Sequence, residues 1–236
     1  MKKVSEIDML EPNKIYNMDC LDGMKQLDDN SIDLIVTDPP YGIDYQSNMR
    51  VVSDKFKKMR NDDNDSRFKI YNVSYNLLKK DTVAVIFCSF KNYAKDYISL
   101  EKKFKIRNAI IWYKGGGGIG DLEHSLLTDY EIALICHKGG KKINGKRIGS
   151  VWKIKKINPN DMVHPTEKPH ILIEKLIEYF SKEGDVVLDP FIGSGTTAVA
   201  CKKLNRNFIG FEISEEYCDI ANKRLANVPE RLDKWF

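Results

Sequence analysis

The chain has 236 residues, 42% of them hydrophobic, and 38 Lys and Arg against 34 Asp and Glu leave a formal net charge of +4. That content can bury one sizeable core, and no apolar run reaches the roughly 18 residues of a membrane span, so a single cytoplasmic domain over 1–236 is expected, with no signal region behind Met1-Lys2-Lys3. Cys20, Cys88, Cys136, Cys201 and Cys218 are odd in number without a close pair, and the four histidines are scattered, which argues for reduced thiols and against a disulfide framework or a metal site.

In chain order, a strand at Lys14–Met18 leads through Asp19 and Cys20 into a helix at Leu21–Leu27. The run Ile32-Asp33-Leu34-Ile35-Val36-Thr37 reads as a strand inside a parallel sheet, and it ends on Asp38-Pro39-Pro40-Tyr41. Ligands of such sheets gather beyond the carboxyl ends of strands, so Asp38 has a site residue's address. These four residues suit a planar base with an exocyclic amine. Asp38 and the Pro39 carbonyl can accept its hydrogens, Pro40 shapes the turn, and Tyr41 offers a stacking face. The bland alternative is a proline-rich turn that caps a strand.

Residues 42–66 are polar and carry Arg50, Lys55, Lys57, Lys58 and Arg60, which predicts a mobile loop that closes over the base. A helix at Arg67–Lys79, a strand at Thr82–Cys88, a helix at Tyr93–Lys102 and a strand at Asn108–Tyr113 follow. Gly115 to Gly118 either line the base pocket or form a permissive loop. Tyr130–Cys136 is a candidate antiparallel edge strand. Lys138 to Lys156 hold eight Lys or Arg and no acid, centred on an Asn144-Gly145 hairpin signal. A basic ribbon reading DNA over about 138–160, or a solvated lysine-rich loop, would each explain it. After a strand at Val151–Ile154, the helix His170–Phe180 presents Leu172, Ile173, Leu176, Ile177, Tyr179 and Phe180 as a core stripe. The strand Val186–Asp189 then opens into Asp189-Pro190-Phe191-Ile192-Gly193-Ser194-Gly195-Thr196-Thr197. A helix at Thr196–Leu204, a strand at Phe208–Phe211 ending on Glu212, and a helix at Glu215–Ala226 complete an α/β, doubly wound, mostly parallel sheet.

Gly193 and Gly195 let the backbone approach a ligand, but Gly193-x-Gly195-x-x-Ala198 with Glu212 also fits a dinucleotide fingerprint. A nicotinamide oxidoreductase would explain that unit and leave the Asp38 tetrapeptide unused. A noncatalytic nucleic-acid binder would explain the lysines and leave both acidic strand ends unused.

Five segments in order, Asn17-Met18-Asp19-Cys20, the Asp38 tetrapeptide, His164-Pro165-Thr166-Glu167-Lys168-Pro169, Asp189 to Thr197 and Gly210-Phe211-Glu212, resemble the beta group of DNA amino-methyltransferases. The resemblance covers nearly the whole length, and it implies a Rossmann-like methyltransferase fold in permuted motif order. It implies that Asp38, Pro39, Pro40 and Tyr41 bind and activate the amine, and that S-adenosyl-L-methionine is the cofactor. Asp189, Phe191, Gly193 and Gly195 would wrap its methionine end, with Ser194 and Thr196 beside them. Thr166 and Lys168 would close over the methionine carboxylate, Glu212 would hold the ribose, and Asp19, Cys20 and Ile213 would flank the adenine. Duplex DNA is the implied partner and adenine N6 the implied target, with cytosine N4 the alternative. A second copy of the chain, a companion restriction endonuclease and a phage setting are all compatible with it.

Overall fold

Leu34 and Val36 point to one side of their strand and Ile35 to the other, and all three are buried. That strand therefore sits inside a sheet covered on both faces. The computed structural model describes residues 10–40, 64–116, 123–158, 162 and 167–229. Tyr41, Thr166 and most of the loop expected at 42–66 lie outside the described residues.

The described strands are β1 (Lys14–Asn17), β2 (Ile32–Thr37), β3 (Leu78–Cys88), β4 (Lys105–Tyr113), β5 (Tyr130–Lys138), β6 (Val151–Lys153), β7 (Val186–Asp189) and β8 (Asn207–Glu212). They form one sheet in the order β1-β8-β7-β2-β3-β5-β4-β6. Every pairing is parallel except the two made by β5. The antiparallel strand is the one expected; β4 and β6 lie outside it, so it runs within that flank of the sheet, and β6 forms the edge. Its side chains alternate between the two core layers, Ala133 and Ile135 in one and Ile132, Leu134 and Cys136 in the other, which is why this run is apolar without a break.

Helices cover both faces. On one, Leu172 and Leu176 of α4 (His170–Phe180) and Ala198 of α5 (Thr196–Lys203) pack on Leu34, Val36 and Val187. On the other, Met24 of α1 (Cys20–Met24), Ile70 of α2 (Asn64–Leu77) and Leu100 of α3 (Phe90–Leu100) pack with Ile35, Leu188 and Ile209. Each fully buried Leu or Ile contributes about 1.5–3 kcal/mol. A helix of five residues such as α1 has no independent stability, so this burial is what orders it. The last helix, α6 (Glu215–Ala226), is capped by the Ser214 hydroxyl, which accepts from the Tyr217 amide at 3.4 Å.

The chain leaves β2 through α2 toward β3 on one side, and leaves β7 through α5 toward β8 on the other. β2 and β7 are neighbours, paired Leu34 with Val187 and Ile35 with Leu188. Their carboxyl ends consequently flank the point where the winding reverses, and a crevice opens there.

The basic stretch differs from its expected form. Lys138 is spent on structure: its ammonium donates to the carbonyls of Tyr75 (2.8 Å), Asn76 (3.3 Å) and Leu78 (2.6 Å) and so caps α2. No ribbon forms at Asn144-Gly145. The Asn144 amide donates to Tyr179 O at 2.9 Å, and its side chain donates to the Glu178 and Ser181 carbonyls at 2.8 and 2.6 Å, docking the turn on the end of α4. Because β5 runs backwards, its last residue, Lys138, pairs with Thr82 in the first half of β3, toward the rim opposite the β2–β7 crevice. β6 then runs forward beside β4 and returns the chain to the crevice rim at Lys153.

Candidate active site

Asp38 lies one residue beyond β2, with its side chain 20% exposed. Its carboxylate forms an ion pair with Lys168, which immediately precedes the Pro169 cap of α4. Lys168 is also 3.1 Å from Glu131 of β5, and Glu131 is 3.3 Å from Lys114 at the end of β4. Charges thus alternate along Asp38, Lys168, Glu131 and Lys114, across four separate segments. Burial disfavours the charge on Lys168, but the two carboxylates outweigh it and raise its pKa above the ordinary lysine value. The ammonium also lies 5.0 Å from the centre of the Phe87 ring. Lys168, expected at the methionine carboxylate, here binds the target-side acid Asp38, whose carboxylate oxygens are hydrogen-bond acceptors only.

Asp189 ends β7 next to that site. One step beyond the Ile35–Leu188 pair puts Asp189 level with Val36, two residues short of Asp38. Its Oδ1 accepts from the Phe191 amide at 3.1 Å and its Oδ2 from the Thr197 hydroxyl at 2.6 Å. Burial pushes the Asp189 carboxyl up to about 7 against the pull of those two donors, and the charges of Asp38 and Glu212 push the same way. Three acids therefore share one crevice. Such a cluster of like charges, one of them fully enclosed, is suited to a cationic ligand.

The turn after β7 is shaped by its glycines. Gly193 and Gly195 adopt φ of 51° and 86°, the left-handed region that glycine occupies without a Cβ penalty. A Cβ on Gly195 would sit 2.7 Å from Ala221 Cβ and 3.0 Å from its Cα. Gly195→Ala is expected to cost about 1–3 kcal/mol, read by thermal unfolding, and to loosen the turn where it meets α6. Gly210 of β8 is required for a similar reason, since a Cβ there would overlap Ile192 of the turn at 2.2 Å.

The remaining candidates are distributed unevenly. Glu212 ends β8; its Oε1 accepts from the Ser214 amide at 2.8 Å, and burial raises its pKa. Asp19 lies beyond β1, which pairs with β8 as Asn17 with Glu212, so both acids occupy one rim. Asp19 also caps α1, accepting from the Leu21 amide at 2.9 Å. Ile213 is half exposed beside Glu212, while Ser194 and Thr196 are buried in the turn and Phe191 is partly buried there. Cys20 is enclosed in the core under α1, and burial pushes its thiol up to about 12, so it acts as packing there.

These groups fit S-adenosylmethionine. Asp189 and the glycine turn would receive the cationic methionine end, and Glu212 the ribose hydroxyls, with Asp19 and Ile213 beside the adenine. Three members of the site carry no motif in the sequence: Glu131, Lys114 and Arg224, whose guanidinium donates to Ser194 of the glycine turn. An isolated acid at the start of an apolar strand marks Glu131, but Arg224 sits among other charges in α6 and carries no local signal.

A DNA methylase family model matches residues 32–223. The Type II methyltransferase M.HpaI of Haemophilus parainfluenzae is 33% identical over 234 residues, covering 86% of this chain and 70% of the relative. M2.DpnII of Streptococcus pneumoniae, also a Type II methyltransferase, is 32% identical over 237 residues, covering 89% and 88%. Among solved structures, the M1.HpyAVI–SAM complex aligns with a TM-score of 0.68 at 30% identity over 90% of this chain and 98% of that one. The cytosine-N4-specific PvuII DNA methyltransferase aligns at 0.74 with 18% identity, a likeness of fold.

Proposed function

This chain belongs to the DNA methylase family, and on that premise we propose that it methylates the exocyclic N6 amine of adenine flipped out of duplex DNA. The enzyme is a DNA methyltransferase, and S-adenosylmethionine is its methyl donor. The observation that carries the proposal is the meeting of Asp38 and Asp189 at the carboxyl ends of neighbouring strands, so that a donor and an acceptor can share one crevice.

Bound there, S-adenosylmethionine supplies an electrophilic methyl group. An aryl amine is a weak nucleophile because its lone pair is delocalised into the ring. Asp38 and the Pro39 carbonyl accept its two hydrogens, which favours tetrahedral nitrogen and frees that pair. Tyr41 stacks on the extruded base. Lys168 holds Asp38 in place while Glu131 shares its charge, so the acceptor geometry is set before the base arrives. Pro40 has no N–H and a restricted φ, which fixes the backbone that follows Asp38 and Pro39. The extra proton leaves the amine after transfer.

Adenine is preferred because the tetrapeptide begins with Asp; the family's cytosine members more often carry serine there. Incubation of the protein with genomic DNA and labelled cofactor, followed by nucleoside analysis, should yield N6-methyladenine. Label on cytosine N4 would refute the base assignment, and binding of NAD without S-adenosylmethionine would refute the class.

For DNA, the lysines nearest the crevice matter most. Lys153, Lys155 and Lys156 are exposed where the chain returns to the Asp38 rim, and the Lys156 amide bonds Lys114 O at 3.3 Å. Lys141 and Lys142 lie between the Gly140 and Asn144 anchors on the opposite rim. Paired Lys155→Glu and Lys156→Glu substitutions should weaken DNA binding and reduce its salt slope by about two, while the Lys141→Glu and Lys142→Glu pair changes neither. The reverse pattern would move the DNA path to the other rim. The Type II names of the relatives support a companion restriction endonuclease, and cytoplasmic location and a homodimer belong to the same proposal; among the described residues no helix is long and apolar enough to cross a membrane.

A further inference from the structure

Arg224 sits in the last turn of α6, outside every motif of the resemblance, with its side chain 19% exposed. Its Nη1 donates to the Ser194 carbonyl at 2.8 Å and to the Ser194 hydroxyl at 2.7 Å. Its Nη2 donates to Glu167 at 2.5 Å and lies 2.9 Å from His170 Nε2. A guanidinium only donates, so that ring nitrogen is an acceptor; burial and then the Arg224 charge lower the His170 pKa, consistent with a neutral ring.

The partners come from opposite halves of the site. Ser194 lies between the two left-handed glycines of the cofactor turn. Glu167, 4% exposed, is bonded in sequence to Lys168, which holds Asp38. One rigid fork therefore joins the turn that receives the donor to the segment that holds the acceptor's acid. We propose that Arg224 is a positioning residue that sets the distance between these halves; this rests on the function proposed above.

Methyl transfer needs its two reactants aligned closely, and a misplacement of about 1 Å can cost on the order of a hundredfold in rate. Arg224→Met should therefore lower kcat about a hundredfold, with cofactor affinity changed by less than about tenfold. Arg224→Lys keeps the charge without the fork, and should restore thermal stability but not kcat. Glu167→Ala cuts the same link and leaves the Arg224–Ser194 bonds intact, so its kcat should match that of Arg224→Met, and the double variant should be no slower than either single one.

Wild-type kcat in either single variant overturns the proposal, as does a double variant whose loss is the product of the two, or recovery of kcat in Arg224→Lys. If Arg224→Met does not fold, Glu167→Ala alone decides, through its kcat. An inactive wild-type protein would instead refute the methyltransferase reading, and is distinct from an active wild type whose variants are unimpaired.

Discussion

Asp38→Ala should lower methyl transfer by about a thousandfold or more while S-adenosylmethionine binding stays within a few fold of wild type. The carboxylate is the acceptor aimed at the amine, and the neighbouring acids are engaged elsewhere: Glu131 by Lys168 and Lys114, Asp189 by the Phe191 amide and the Thr197 hydroxyl, and Glu212 by the Ser214 amide. The substitution also leaves Lys168 buried with one carboxylate partner instead of two, so Asp38→Asn is the cleaner comparison. The amide keeps one acceptor oxygen, for which the Lys168 ammonium and the target amine then compete. Asp38→Asn should fall between wild type and alanine, about ten- to a hundredfold below wild type, if geometry and charge both contribute. Single-turnover rates with saturating DNA and cofactor, beside calorimetric cofactor binding, provide the measurement. Near-normal turnover in the alanine variant would remove Asp38 from the chemistry.

The second large effect concerns Asp189 and pH. With its carboxyl pushed up to about 7 by burial, Asp189 in the free protein is largely protonated at pH 6 and largely ionised at pH 8. If the anion receives the cationic methionine end, apparent affinity should rise about tenfold between pH 6 and pH 8 and level off above that range. Stability of the free protein moves the other way. A carboxyl raised from its ordinary value of 3.8 binds more protons folded than unfolded, so this contribution is present below about pH 4 and is lost as pH rises through about 7. Asp189→Asn should flatten both profiles and weaken cofactor binding at pH 8 by about ten- to a hundredfold, because charged hydrogen bonds contribute about 1.5–3 kcal/mol. The Thr197 hydroxyl can rotate to accept from the new amide, so the fold should survive. A pH-independent wild-type affinity would place the ligand's positive charge elsewhere.

The elements themselves were largely legible. α4 and α6 run over the residues their periodicity predicts, and the unbroken apolar run of β2 is buried on both faces. Boundaries moved where a tertiary bond intervened: β3 begins at Leu78 rather than Thr82 because Lys79 pairs with Asp33 of β2 at 2.8 Å and brings the chain into the sheet early. The Lys138 to Lys156 stretch shows the opposite failure. Composition made its lysines look equivalent, yet one caps a helix, others sit on the far rim, and the last reach the crevice.

By itself, then, the order of residues settled the alternating strands and helices and the address of each acid at a strand's carboxyl end. Those features depend on spacing of two or 3.6 residues and on turn chemistry, all of which are local. Only the folded chain decided that β2 and β7 lie side by side, that Lys168 meets Asp38 and that Arg224 reaches both Ser194 and Glu167. Those partners lie 30 to 153 positions apart along the chain, where the pairing is selected by the burial and register of the whole sheet and leaves no mark on either residue's neighbours.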